Sequence, residues 1–274
     1  MGLRGRGVEI KTPEQIELMR SAGLVVGETL ALVRSSVRAG MTTGDLDRLA
    51  EVYIRDQGAV PSFKGYHGFP GSLCLSVNDE VVHGIPGGRV LLDGDVLSVD
   101  CGAIVQDWHG DAAVTLGIGE INVDATRLLE VCEASLWAGL AAARLGGRVT
   151  DISHAIEAYV RSHGEYGVLE DYVGHGIGSS MHMPPNVPNH GPAGKGPKLV
   201  PGLALAVEPM ITTGSIDTQV LEDDWTVVTD DGSLAAHFEH TFTLTERGAW
   251  VLTALDGGQA RLAELGVPYG GPGA

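Results

Sequence analysis

Two aspartates, Asp100 and Asp111, lie eleven residues apart in "LSVDCGAIVQDWHGDAAVTL" (97–116), which reads as two strands around a tight turn. Each stands where an apolar side chain would normally pack. Directly opposed residues of an antiparallel hairpin share a face, with Cβ atoms about 4.5–5.5 Å apart. With a turn centred near "IVQD", the spacing predicts that the two carboxylates oppose each other. Two like charges at that distance, partly buried, repel and raise a pKa, and a cation is the usual remedy. Taken alone, the pair reads more simply as solvent-facing aspartates on an exposed hairpin.

An internal repeat shifts the balance toward chemistry. "EVYIRDQG" (51–58) matches "EAYVRSHG" (157–164) at an offset of 106 residues, and Asp45 and Asp151 share that offset. "LLDGDVLSVD" (91–100) matches "LVPGLALAVE" (199–208) at offset 108, pairing Asp100 with Glu208. "DAAVTL" (111–116) matches "EHTFTL" (239–244) at offset 128, pairing Asp111 with Glu239. The larger last offset implies an extra hairpin around residues 213–232. Glu208 lies in "LALAVEPMI", the most apolar strand of the chain, where a lone carboxylate is costly unless it binds something.

Four converging carboxylates fit two divalent ions about 3.5–4 Å apart, as in hydrolytic two-metal sites. An oxygen-rich donor set favours Mn, Fe(II), Co or Mg over structural zinc. "YVGHGIGSSMHMPP" offers His175 and His182, and "NDEVVHGIP" offers His83, in Gly- and Pro-rich segments flanking the acidic strands. "GHGIGS" fails the dinucleotide-binding pattern at Ser179, and no phosphate-binding loop, HExxH, CxxC pair or GxSxG occurs.

These acids need elements to hold them. Thr12, Pro13 and Gln15 make a helix start, followed by Ile16, Met19, Leu24, Val26, Leu30 and Val33 near helical spacing. A second helix over 43–57 stops at Gly58. Strands are predicted over 72–77, 96–102, 111–117, 203–210, 225–229, 238–245 and 249–252, and helices over 123–145 and 150–163. The pattern predicts an α+β chain of two α/β halves, each in the order helix, helix, strands. A pseudo-twofold would bring their acidic strands together at one central site. The tail "GGQARLAELGVPYGGPGA" (257–274) is expected outside the compact fold.

Composition sets outer bounds. The 274 residues include 40 glycines, about twice the usual share of roughly 7%. A net charge of −17 lacks the footprint of phosphate-backbone binding, so no nucleic-acid partner is expected. Three scattered cysteines, Cys74, Cys101 and Cys132, give neither a disulfide framework nor a zinc ribbon. The start has no apolar signal-peptide region and no run of 18 apolar residues occurs, so a cytoplasmic protein without a membrane segment is expected.

The motifs "SFKGYHGFPGSLCLSVNDEVVHGIP", "LSVDCGAIVQDWHGDAAVTLGIG", "YVGHGIGSSMHMPPNVPNHG", "LALAVEPM" and "DDWTVVTDDGSLAAHFEHTFTLT" follow one another across residues 10–256. In this order they resemble the type I methionine aminopeptidases, members of the pita-bread metallopeptidases. The resemblance implies a pita-bread fold around a central antiparallel sheet, with an N-terminal extension (1–11) and one catalytic domain (12–256) containing the repeat as 12–118 and 122–250. It implies two divalent ions (Co, Mn, Fe(II), Zn or Ni) held by Asp100, Asp111, His175, Glu208 and Glu239, with Asp111 and Glu239 bridging. It makes His83 and His182 the catalytic histidines that are not ligands, and Glu208 the proton carrier. Tyr66, Phe69, Cys74, Met181 and Trp225, closed by His83, would form a methionine pocket. Phe69 and Met181 depart from the commonest bacterial pattern, Tyr and Phe respectively, and both stay apolar.

The activity so implied is removal of the initiator methionine from nascent chains, with a small second residue preferred. A monomer with transient ribosome contact is expected. The rivals are a prolidase-like or Xaa-Pro aminopeptidase, and a non-catalytic pita-bread binding module. Prolidases usually carry a large N-terminal domain, whereas about 11 residues precede the first helix here. The 25 residues between His182 and Glu208 leave no room for the helical insert of a type II enzyme. A binding module would have lost ligands, and all five are present.

Overall fold

The computed structural model describes residues 7–273. The first half runs α1 (Pro13–Ser36), α2 (Thr43–Asp56), β1 (Val60–Pro61), β2 (Leu73–Val77), β3 (Glu80–Val82), β4 (Val96–Val105) and β5 (Trp108–Gly117). The second runs α3 (Val123–Ala142), α4 (Val149–His163), β6 (Gly167–Val168), β7 (Gly174–Gly176), β8 (Met183–Val187), β9 (Ala204–Val207), β10 (Met210–Thr212), β11 (Thr218–Val220), β12 (Val227–Thr229), β13 (Ala235–His237), β14 (His240–Thr245), β15 (Gly248–Val251) and α5 (Gln259–Glu264). Both halves open with two helices and continue in antiparallel strands.

Local chemistry starts the helices. The Thr12 hydroxyl accepts from the Gln15 N–H at 3.3 Å, and the Gln15 side chain accepts from the Thr12 N–H at 2.8 Å. Thr42 and Asp45 cap α2 in the same way. Gly58 then takes a left-handed φ of 74°, which ends the helix at little cost. Each helix pair covers its own sheet. Val26, Leu30 and Leu46 pack on Leu73, Leu97 and Val99, whereas Leu136, Ile152 and Ile156 pack on Leu205, Val207 and Phe242.

The central hairpin is longer than expected and its register differs. Gln106 and Asp107 both have positive φ, 47° and 67°, and form a two-residue turn of the type that matches strand twist. That turn pairs Asp100 with Ala113 and Gly102 with Asp111. Asp100 and Asp111 therefore share a face as diagonal neighbours, not as the directly opposed pair expected. At Gly110 an added Cβ would lie 2.8 Å from the Gly23 nitrogen, so the hairpin lies against α1 at backbone distance.

The strand expected over 203–210 is divided at Glu208–Pro209, and that expected over 238–245 starts only at His240, after a break at Phe238–Glu239. Proline offers no ladder N–H, and the two breaks face each other. The register nevertheless continues across them: Val207 pairs with His240, and Met210 pairs with His237. The extra hairpin is present as β11–β12.

The halves meet along β5. Ala113 N–H donates to Glu239 O at 3.3 Å, and Glu239 N–H donates to Ala113 O at 2.9 Å. On either side, a threonine hydroxyl bonds both backbone groups of its partner: Thr241 those of Asp111, and Thr115 those of His237.

The C-terminal segment corrects an expectation. Residues 257–273 pack on the second half instead of lying outside it. Leu262 of α5 is fully buried, Val267 nearly so, and Tyr269 bridges to Ala249. Three apolar anchors outweigh the Gly and Pro content of the segment. At the other end, residues 1–6 of the expected extension lie outside the described residues. Lys11 N–H donates to Gly202 O at 2.9 Å, and Ile10 bridges to Leu203. Among the described residues, no helix is long and apolar enough to cross a membrane.

Candidate metal centre

One face of the joined sheet collects the acids. Asp100 sits mid-strand in β4, opposite Cys74 of β2 and Ala113 of β5. Side chains alternate in a strand, so Cys74, Asp100, Gly102, Asp111 and Ala113 share this face. Gly102 leaves the space over Asp111 to Phe63: a Cβ there would lie 2.9 Å from the Phe63 ring. In the second half, His175 pairs with Ala206, Ala206 pairs with Thr241, and Thr241 bonds Asp111. Glu208 and Glu239, two residues from Ala206 and Thr241, fall on the same face.

The side chains converge. Ligand atoms of Asp111, His175 and Glu239 lie within 4.8 Å of one another. His175 Nε2 lies 3.5 Å from Glu208 Oε1. His175 Nδ1 is 3.0 Å from the Gly176 carbonyl, which only accepts, so Nδ1 carries the proton and Nε2 presents a lone pair. Asp100, Asp111, Glu208 and Glu239 are all buried or nearly so.

Burial pushes Asp100 up to about 7. Asp111, Glu208 and Glu239 are held well above the usual carboxylate range, first by burial and then by the neighbouring acids. Burial also lowers His175 to about 4, so its imidazole is neutral.

The polar atoms left bare show that the donor set suits a divalent cation. Asp100 Oδ1, Asp111 Oδ1 and Glu239 Oε1 are buried without a hydrogen-bond partner. Buried polar atoms are normally paired, and these three point to a missing positive charge. A neutral imidazole lone pair facing carboxylate oxygens needs the same. The residues fit hard or borderline divalent ions.

Above the acids lies a cavity of about 180 Å³. The expected pocket residues Tyr66, Phe69, Cys74, Met181 and Trp225 line it with His83 and His182, and Phe63 and Val82, which the sequence did not single out, join them. The Phe69 and Trp225 rings meet edge to face at 5.1 Å. His83 takes a left-handed φ of 61°, a backbone cost that non-glycine residues tend to bear at functional sites. Its ring stands between Tyr172 and Trp225, and burial lowers it to about 4. His182 Nδ1 lies 3.0 Å from Tyr66 Oη, and burial lowers this histidine too. A larger cavity, about 390 Å³, lies between residues 11–17, the 244–247 turn and the C-terminal segment. It contains none of these acids or histidines.

Sequence reasoning missed His237. It is 1% exposed, and its Nε2 lies 3.9 Å from both Glu208 Oε2 and Glu239 Oε2.

A profile of metallopeptidase family M24 matches residues 17–246. The chain belongs to metallopeptidase family M24. A methionine aminopeptidase of Clostridium acetobutylicum is 54% identical over 245 residues, covering 89% of this chain and 98% of the relative. The crystal structure of a methionine aminopeptidase from Thermotoga maritima superposes with a TM-score of 0.88 at 43% identity, covering 90% of this chain and 99% of that one. A prolidase from Pyrococcus furiosus superposes at 0.72 with 20% identity, covering 89% of this chain and 65% of that one, and so shares the fold alone. This M24 metallopeptidase has the pita-bread fold, with the acidic strands of both halves at its centre.

Proposed function

We propose that this metallopeptidase removes the N-terminal methionine of nascent proteins and peptides, with a small second residue preferred. The observation that carries the reading is the stacking of two features: an Asp, Asp, His, Glu, Glu set on one sheet face, directly under an apolar, sulfur-containing cavity. Identity of 54% to a methionine aminopeptidase over most of the chain supports it.

In this reading Asp100, Asp111, His175, Glu208 and Glu239 would hold two divalent ions, drawn from Co, Mn, Fe(II), Zn or Ni. When bound, such ions acidify water and polarise a carbonyl. The remaining work belongs to side chains. Glu208 accepts the proton of the attacking water and returns it to the departing amine. The Tyr66 hydroxyl at Nδ1 turns His182 so that Nε2 faces the scissile carbonyl oxygen and steadies its developing charge. His83 contacts the scissile amide nitrogen. Phe69, Cys74, Met181 and Trp225 receive a thioether, which packs well on aromatic and sulfur atoms. A cytoplasmic monomer in transient contact with ribosomes completes the proposal.

Three peptides test it on metal-loaded protein: Met-Ala-Ser, its N-acetylated form and an Xaa-Pro peptide. Free methionine from the first alone is expected. Faster Xaa-Pro cleavage would favour the prolidase reading, and metal binding without cleavage the binding module.

A further inference from the structure

The third repeat match extends two residues upstream, setting "HGDAAVTL" (109–116) against "HFEHTFTL" (237–244). Asp111 and Glu239 thus each follow a histidine by two residues, but the two histidines have different surroundings. His109 is half-buried and its Nδ1 lies 3.2 Å from Ser62 Oγ. His237 is buried behind the acids and does not line the cavity. Its backbone is pinned across the seam: its N–H donates to Thr115 Oγ1 at 2.9 Å, and its carbonyl accepts from the same hydroxyl at 2.7 Å.

Its Nε2 is buried with no hydrogen-bond partner. The facing groups are Glu208 Oε2 and Glu239 Oε2, each 3.9 Å away. With a divalent ion bound both carboxylates are ionised and only accept, so in that state this nitrogen is satisfied only as N–H. Both separations exceed hydrogen-bond length, so forming the bond requires a carboxylate to turn toward the ring.

We propose that His237 is a positioning residue for the metal centre: its Nε2–H holds the outer oxygens of Glu208 and Glu239 and aims their inner oxygens at the ions. The inference rests on the reading of Glu208 and Glu239 as ligands. It gives the second half of the site a support that His109, turned to Ser62, does not give the first. Carboxylate ligands are commonly oriented by such outer hydrogen bonds, whose loss weakens metal binding about 10–100-fold.

The test compares metal-stripped wild type, His237→Met and His237→Gln by calorimetric titration with Mn(II) or Co(II), and by melting temperature without metal. His237→Met removes a buried nitrogen that lacks a partner, so the stripped variant is expected to melt at or above the wild-type temperature. Its metal affinity is expected to fall about 10–100-fold. His237→Gln keeps an amide N–H at similar reach and should stay within a few-fold of wild type. If His237→Met does not fold, His237→Asn, whose amide is too short to reach, should show the same loss beside His237→Gln. Wild-type affinity in His237→Met or His237→Asn would overturn the inference. So would an affinity loss that only tracks a lowered melting temperature, the mark of a packing role. A wild-type protein that binds no divalent ion would overturn the metal-centre reading itself, and this inference with it.

Discussion

Glu208 stands directly across an antiparallel ribbon from Glu239, whereas Asp100 stands two residues off from Asp111. The two halves supply equivalent acids in unequal geometry. Opposed Cβ atoms are about 4.5–5.5 Å apart and diagonal ones about 7–8 Å. Each carboxylate therefore reaches the centre by its own path, and length matters as much as charge. Glu239→Asp, which withdraws the carboxylate by one methylene, should lower kcat at least about 10-fold with saturating metal. Steady-state kinetics checks this, and unchanged kcat would separate Glu239 from the reacting centre.

Metal binding should release protons. The raised carboxyls hold protons in the stripped protein, Asp100 up to about pH 7, whereas His175 is neutral above about pH 4 and has none to give. Calorimetry at pH 6 in buffers of different ionisation enthalpy should show net proton release, shrinking as pH rises past 7. Buffer-independent heats at pH 6 would contradict this.

Stability of the stripped protein should follow the same groups. A folded-state carboxyl raised from 3.8 to about 7, as for Asp100, contributes stability that is lost as pH rises through that window. Histidines lowered from 6.5 to about 4, such as His83 and His175, contribute the opposite slope between those values. The two oppose each other up to about pH 6.5, above which only the carboxyls act. Melting temperature without metal should therefore fall above about pH 6.5, and added metal should remove the fall.

Tyr66→Phe removes the hydroxyl that holds His182 Nδ1 while leaving the ring in the pocket. We expect kcat to fall about 10-fold with KM nearly unchanged, the pattern of an interaction that acts in the transition state. A rise in KM alone would make Tyr66 only a pocket wall.

Leu262 is fully buried against the second-half core. Leu262→Ala should cost about 2–5 kcal/mol by denaturant unfolding. A change below about 0.5 kcal/mol would mean that α5 adds little to the fold.

Much of this was legible in the sequence because local and global signals agree. Thr12 caps its helix through a glutamine three residues on, and the misplaced acids recur in the same order in both halves. The register was not legible: neither Gln106 nor Asp107 is the glycine that usually marks such a turn, so the two-residue turn left no signal. Thr115 and Thr241 read as ordinary strand residues, and only the fold shows that their hydroxyls join the halves. In the C-terminal segment the Gly and Pro content masks three apolar anchors, Leu262, Val267 and Tyr269, that hold it to the second half. His237 did leave a signal, the histidine two residues before Asp111 and again before Glu239, which appears only when the repeat is carried past its acidic end.

The most direct test is methionine release from Met-Ala-Ser as metal-stripped protein is titrated with Co(II) or Mn(II), for wild type and Glu239→Gln in parallel. The account predicts no release without metal, restored release on titration of the wild type, and none from Glu239→Gln at any metal concentration. Release by stripped protein in chelator, or undiminished release by Glu239→Gln, would contradict it.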